Sequence, residues 1–387
     1  MSVAGTRPWR TVLGGLETQS LVGLVHDFRD DQLPSMALYA DRLGTALCTR
    51  GWQVKRLKCD GRLPGWTRNS SLLGKVDSYW GRLVTLRRRA RSFQADVFHV
   101  VDHGQGFLVG DLDPDRTVVT CHDLMLLVAE EQRFPFRPRS RVASRLLRWS
   151  LSRMVSSRFV VAVSENTRRD LLRFAPIDPD RVVVIHPGLN ARFGGTQAER
   201  SEFRSRHGLE GPVILHVGQT SFYKNIPACL EVTSRLKARG MPVTFLHVGQ
   251  RLTTQQVALA GRLGIAAAVV DLGPLGEDEL RKAYVAADVL LFPSLYEGFG
   301  WPPLEAMASG LPVVSSPAGS LAEVVGHAAL TAEPDDHEGL ARNVELLLSD
   351  PRRATALRVQ GMERARHFDW DATAAKIEAV YRRVLEG

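Results

Sequence analysis

The sequence predicts an α/β protein of two domains, each built on a doubly wound parallel sheet. Three observations carry this. The chain has 387 residues, beyond the size at which a single hydrophobic core keeps growing, so two cores are expected. Short, near-continuous apolar runs alternate with helical patterns, and strands covered on both faces read this way. The runs fall into two series, separated by a polar stretch from Asn190 to Glu210 that contains Gly194-Gly195. A connection between domains has that composition.

Leu21–Val25 reads as the first strand, ending at His26-Asp27. From Ser35 to Arg50 the pattern is helical, with Leu38, Leu43 and Leu47 on one face and Gly51 as the stop. Gln53–Leu57 is a second strand, and residues 60–70, with Pro64 and Trp66, form a loop. Apolar residues recur with a helical period from Ser71 to Arg91, and Arg82, Arg87, Arg88, Arg89 and Arg91 make that helix basic. Arg141 to Arg153 repeats the theme around Trp149.

Strands follow at Val97–Val101, Thr117–Cys121 and Phe159–Val163, each ending in polar residues: Asp102-His103, His122-Asp123 and Ser164-Glu165-Asn166. Ligands of open α/β sheets sit at the carboxyl ends of strands, so these positions are expected to line a cleft. Val182–Ile185 closes the first series. The second has strands at Pro212–Val217, Val243–Val248, Val269-Val270, Val289–Phe292 and Val313-Val314, and a last helix near Asp371 to Leu385.

Composition places the chain among soluble globular proteins, with 44% hydrophobic and 24% charged residues. Cys48, Cys59, Cys121 and Cys229 show no metal or redox spacing and read as buried thiols of a reducing compartment. No apolar run is long enough to span a bilayer, and Met1–Arg10 has no signal-peptide core. A cytoplasmic protein, at most peripheral to a membrane, is expected. Residues 1–190 hold 29 Lys and Arg against 19 Asp and Glu, whereas residues 191–387 hold 21 against 23. The first half should therefore meet something anionic: nucleic acid, a bilayer surface or an acidic acceptor. Its basic helices, with Trp80 and Trp149, suit an anionic membrane surface, or equally a packed helix with a solvated charged face.

The most informative stretch runs from Pro293 to Gly310. It reads as strand, glycine loop and short helix, with Glu297 in the loop, Pro303 in the first helical turn and Glu305 close behind. Gly298 and Gly300 let the backbone approach a ligand, and a helix N-terminus favours an anion. Two carboxylates there find partners in sugar or ribose hydroxyls, or they are ordinary helix-start acids. After the first strand of the second series, Gly218-Gln219 and Lys224-Asn225 combine a glycine turn, a lysine and a helix start, a natural diphosphate cradle. Asn225 also has the simpler role of N-cap available.

Glu297 and Glu305, with the whole segment EGFGWPPLEAMASGLPVV, resemble the Glu-x7-Glu donor-binding segment of retaining family 4 (group 1) glycosyltransferases. The resemblance implies a GT-B fold, two Rossmann-like domains facing across a cleft. On that pattern residues 1–190 would bind the acceptor and 191–369 the nucleotide sugar, while 370–387 would cross back onto the first domain. It further implies a retaining transfer of a hexose, mannose or glucose favoured, from a GDP- or UDP-sugar to a glycan or lipid-linked acceptor in bacterial polysaccharide assembly. No metal or other cofactor is implied.

Glu297 would orient the sugar and Glu305 the ribose. Lys224 and the N–H groups of Gly298, Phe299, Gly300 and Trp301 would meet the diphosphate. The segment of His122 matches a recurrent histidine–aspartate pattern, and His103 and Asp102 are further cleft candidates, Asp102 for the acceptor hydroxyl. Two departures stand out. Gln219 and Tyr223 occupy positions where the family commonly has an arginine, leaving Lys224 alone. Asp30–Met36 replaces a glycine pair, so that Ser35 alone offers a hydroxyl at the helix start.

Rival readings are an epimerase or phosphorylase on the same architecture and a non-catalytic module binding nucleic acid through the basic half. The chain is short for a phosphorylase. RNA-recognition aromatics in a strand pattern are absent, so no specific nucleic-acid partner is expected.

Overall fold

The computed structural model describes residues 20–25, 34–58, 80–131, 141–189 and 193–387. The His26-Asp27 strand end, the loop at 30–33, Cys59, Trp66 and the first part of the helix expected from Ser71 lie outside the described residues.

Two six-stranded parallel sheets form the core of the molecule. The first contains β1 (Leu21–Val25), β2 (Gln53–Leu57), β3 (Val97–Val100), β4 (Thr117–Cys121), β5 (Phe159–Ala162) and β6 (Val182–Val184), in the order β2-β1-β3-β4-β5-β6. The second contains β7 (Val213–Gly218), β8 (Thr244–Gly249), β9 (Val269–Gly273), β10 (Val289–Phe292), β11 (Val313–Ser315) and β12 (Leu330–Thr331), in the order β12-β11-β10-β7-β8-β9. Strand β12 has two residues, too few to leave a periodic signal in the sequence.

Helices α1 (Pro34–Thr49), α2 (Arg87–Ser92), α3 (Met125–Glu130), α4 (Arg141–Met154) and α5 (Glu165–Phe174) accompany the first sheet. The second has α6 (Gln197–Arg206), α7 (Ile226–Ala238), α8 (Thr254–Arg262), α9 (Glu277–Ala286), α10 (Trp301–Ala308), α11 (Leu321–Val325), α12 (His337–Ser349) and α13 (Pro351–Ala365). The last helix, α14 (Trp370–Glu386), belongs spatially to the first sheet.

Chain order explains where a ligand can sit. The second sheet reverses direction between β7 and β10, which lie side by side. At such a switch point the flanking connections leave to opposite faces and open a crevice at the carboxyl ends. The segments that follow β7 and β10 are the Lys224 loop and the Glu297 loop. The first sheet reverses between β1 and β3, and β3 delivers Asp102 and His103 to its own carboxyl edge.

Helix α14 closes one face of the first sheet. Asp369 caps it by accepting from the Ala372 N–H. Ile377, Val380, Tyr381 and Val384 then pack with Tyr39, Leu43 and Leu47 of α1 against Val22, Leu24, Val118 and Val161. Each such burial contributes about 1.5–3 kcal/mol, which is ample to hold a helix whose sequence neighbours are in the other domain. Its polar side adds Arg50, which contacts Glu378 at 2.7 Å and Asp371 at 3.2 Å. Cys121 and Cys229 are buried, but Cys48, expected inside, lies exposed at the solvent edge of the last turn of α1.

His99 on β3 is fully buried between the Tyr381 hydroxyl (2.5 Å) and the Thr120 hydroxyl (2.7 Å). Burial, helped by the nearby His122, pushes its pKa down to about 3. The unfolded chain binds a proton there below about pH 6.5 and the folded chain does not, so stability drains away as pH falls from about 6.5 towards 3. His99→Gln should flatten that dependence by up to one proton, about 1.4 kcal/mol per pH unit. Urea unfolding between pH 6.5 and 4.5 measures it; identical slopes in the two proteins would contradict the assignment.

Candidate active site

The loop after β7 is shaped by its backbone. Phe222–Lys224 makes one tight helical turn, and Asn225 then adopts a left-handed conformation with φ of 53°. Asn225 precedes α7 but does not cap it through its side chain, contrary to the sequence reading. Pro227 in the first turn lacks the N–H that a capping side chain bonds at that position. The Asn225 amide instead donates to the carbonyls of Pro293 (3.0 Å) and Pro334 (2.9 Å). It ties the lysine loop to the segment carrying Glu297. Gln219, beside Gly218, is exposed.

Lys224 and Glu297 are thereby brought together. The Lys224 Nζ donates to Glu297 Oε1 at 2.8 Å, and both side chains are about nine-tenths buried. The ammonium also lies 5.1 Å from the ring centre of Phe292 and 5.5 Å from that of Tyr223. An ion pair in so dry a position is held by geometry and costs several kcal/mol to break from one side. Beneath it, Ser320 supports the loop. Its N–H donates to the Glu297 carbonyl (3.2 Å) and its hydroxyl to the Phe299 carbonyl (2.5 Å).

Glu305 lies on α10, where Tyr284 of α9 donates to Oε2 at 2.8 Å. Burial raises the Glu305 carboxyl to about 6 despite the tyrosine bond, which favours ionisation. Neither Ser320 nor Tyr284 stands out in the sequence, since each reaches the site only through the fold.

Residues 298–301 pack closely, and part of this segment meets the other domain. A Cβ on Gly298 would stand 2.1 Å from the His122 carbonyl oxygen and 2.7 Å from the Asp123 Cβ. Phe299 is buried in the core of the second domain, and the Trp301 indole donates to the Gly188 carbonyl at 3.1 Å. Gly300, with φ of 113°, makes the turn into α10 that a side chain would strain. Glu323 reinforces the junction, accepting from the Glu165 N–H (3.0 Å) and His186 (2.5 Å). Burial opposes its ionisation, but His186 and the amides of Glu165 and Asn166 outweigh it and hold the carboxyl below its usual value.

From the first domain, His122 brings its imidazole to the edge of the Tyr39 ring, 4.9 Å between centres. Its Nε2 bonds the Val101 carbonyl at 2.8 Å, which makes Nε2 the protonated nitrogen and leaves Nδ1 with a lone pair. Burial lowers its pKa, only partly countered by Asp102, so the ring is neutral. His103 Nδ1 lies 3.4 Å from both the His122 N–H and the Asp102 carboxylate, and Asp102 accepts the Gly104 N–H at 2.9 Å. Ser35 is the second residue of α1; its side chain lies outside the described residues.

The basic helices are less free than their composition suggests. Arg87 (2.5 Å) and Arg91 (2.8 Å) both pair with the buried Asp111, and Arg89 donates to the Lys58 carbonyl. Trp149 stacks on Phe107 at 5.0 Å, facing the core. Trp80, Val142, Arg88 and Arg145 remain exposed. Among the described residues no helix is long and apolar enough to cross a membrane.

Two doubly wound domains joined at the carboxyl ends of their sheets, with a cation–carboxylate pair at one switch point, define an enzyme of GT-B architecture. The family model described as Glycosyl transferases group 1 matches residues 197–366, and that described as Glycosyltransferase Family 4 matches residues 36–193. The chain belongs to the group 1 glycosyltransferases. It is 28% identical to the O-antigen chain mannosyltransferase B of Escherichia coli over 331 residues, 83% of each chain. Matches to other curated relatives cover 37% of one and 55% of another, through 75% and 57% of this chain. Sucrose-phosphate synthase from Thermosynechococcus elongatus superposes with a TM-score of 0.76 at 20% identity, covering 95% of this chain and all of that one. Anabaena Alr3699/HepE, solved with UDP and glucose, gives 0.72 at 16% identity over 94% of this chain and all of its own.

Gly298→Ala tests the junction. The added methyl has no room against the His122 carbonyl, so the variant should lose about 1–3 kcal/mol. Thermal unfolding and protease susceptibility of the 293–301 loop measure this; wild-type stability would show that the two backbones do not touch in solution.

Proposed function

We propose that the chain transfers a hexose, mannose favoured and glucose next, from a nucleoside diphosphate sugar to a glycan or lipid-linked acceptor, with retention at the anomeric carbon. The buried Lys224–Glu297 pair at the β7–β10 switch point carries the reading. It sets one cation for the leaving diphosphate beside one carboxylate for sugar hydroxyls. In this reading the donor's diphosphate draws Lys224 off Glu297, and the freed carboxylate orients the sugar. Glu305 takes the ribose hydroxyls. The neutral His122 accepts from the sugar across the cleft, while Asp102 and His103 hold the acceptor hydroxyl.

The solved complex of Alr3699/HepE with UDP and glucose supports a nucleotide-linked donor. The O-antigen chain mannosyltransferase relative supports mannose and a bacterial polysaccharide as the product. The charge that develops on the leaving group is met by Lys224 and the N-terminus of α10, so the transfer is metal-independent in this reading. Chelator should leave turnover unchanged. A lipid-linked acceptor would bring the enzyme to the membrane surface through Trp80, Val142, Arg88 and Arg145.

Two sets of variants test the assignment. Lys224→Ala should cost about 10- to 150-fold in turnover of GDP- or UDP-sugar, the range for a charge-assisted contact to phosphate. Wild-type turnover would leave the cradle to backbone N–H groups alone. Glu297→Ala should lower turnover while nucleoside diphosphate still binds.

Glu305 carries a pH signature. Its carboxylate exists above about 6 and is protonated below, so affinity for GDP or UDP should weaken as pH falls through about 6. Glu305→Gln should weaken binding at pH 7.5 and lose that pH step. Calorimetric titration of both proteins, compared at each pH, separates the step from titration of the nucleotide itself. Parallel pH profiles would remove Glu305 from the ribose.

A further inference from the structure

We propose that Ser164 and Thr167, at the start of α5, are positioning residues that set the spacing between His122 and the Glu297 loop across the domain junction. The inference rests on the functional reading above and adds to it a pair of residues that touch neither donor nor acceptor.

Both residues are fully buried. The Ser164 hydroxyl donates to the Gly298 carbonyl at 2.7 Å. That assignment leaves it free to accept the Thr167 N–H at 3.0 Å, as the N-cap of α5. The Thr167 hydroxyl stands 3.2 Å from the His122 carbonyl and 3.2 Å from the Gly298 carbonyl. One proton is thus shared between two acceptors, one from each domain. The two carbonyls come together because Gly298 has no Cβ to hold His122 away. Two carbonyl oxygens buried beside the same hydroxyl each need a donor. Ser164 and Thr167 supply the donors from a third element, rooted in the core of the first domain.

The consequence is directional. The peptide held on one side carries His122, the residue that the functional reading gives to the sugar. The peptide held on the other follows Glu297 directly. Their separation is therefore set by the two hydroxyls, whereas Lys224 and Glu305 are placed entirely by the second domain. Loss of a hydroxyl should disturb the geometry needed when the sugar is transferred and leave nucleotide binding alone.

Thr167→Val keeps the shape and removes the shared donor; Thr167→Ser keeps the donor. With GDP-mannose and UDP-glucose as donors, Thr167→Val should lower kcat about tenfold, with Kd for GDP or UDP within about twofold of wild type. Thr167→Ser should restore kcat. A merely structural threonine would cost stability and nucleotide affinity together, and that pattern would overturn the proposal.

A second arm does not depend on turnover. Hydrogen exchange of the peptide spanning 295–301 should accelerate several-fold in Ser164→Ala and Thr167→Val, and return to wild-type rates in Thr167→Ser. Unchanged exchange in the first two would overturn the positioning role. A wild-type chain inert towards every nucleotide sugar would overturn the functional reading instead, and the exchange arm would still decide the staple.

Discussion

Two backbones meet at Gly298 and His122 with no space for a side chain between them, and much else follows from that contact. It brings the carboxyl ends of both sheets to one place, so that residues delivered by β4 and β10 share a single cleft. It demands donors for the carbonyls it crowds, which Ser164 and Thr167 provide. It also makes the Cβ side of the glycine loop a bearing surface between domains.

The electrostatics of the cleft follow a division of labour. Lys224 and Glu297 hold each other in a site too dry for either to stand alone. In the proposed reaction a diphosphate displaces Glu297 from Lys224, because it brings more negative charge to the same cation. Burial raises the Glu305 carboxyl towards neutrality, although the Tyr284 hydroxyl donates to it. The first domain contributes an uncharged imidazole and a carboxylate. Lys224 thus puts its positive charge on the side of the second domain.

Periodicity and composition made most of the strands legible, because a buried parallel strand must be apolar on both faces and leaves a run such as VVTC or VLLF. Lys224, Glu297 and Glu305 were legible from their local spacing around glycine and proline. Thr167 and Ser320 were not, because their meaning lies in contacts with segments 131 and 21 residues away. The simpler role of cap suits Asn225 by type and position, but Pro227 and a left-handed backbone redirect its side chain. Arg87, Arg91 and Trp149 look available to a membrane because a sequence shows charge and ring but not Asp111 and Phe107, which occupy them.

The return of α14 to the first sheet has a consequence for synthesis. The strands β1 to β6 emerge from the ribosome early, yet the surface formed by Val22, Leu24, Val118 and Val161 receives Ile377, Val380 and Tyr381 only after the whole second domain has been translated. At about 5–20 residues per second, that leaves a valine-rich face uncovered for roughly 10–40 s. The early half of the chain therefore waits with that face covered only in part, by Tyr39, Leu43 and Leu47. The domain that is made first is finished last.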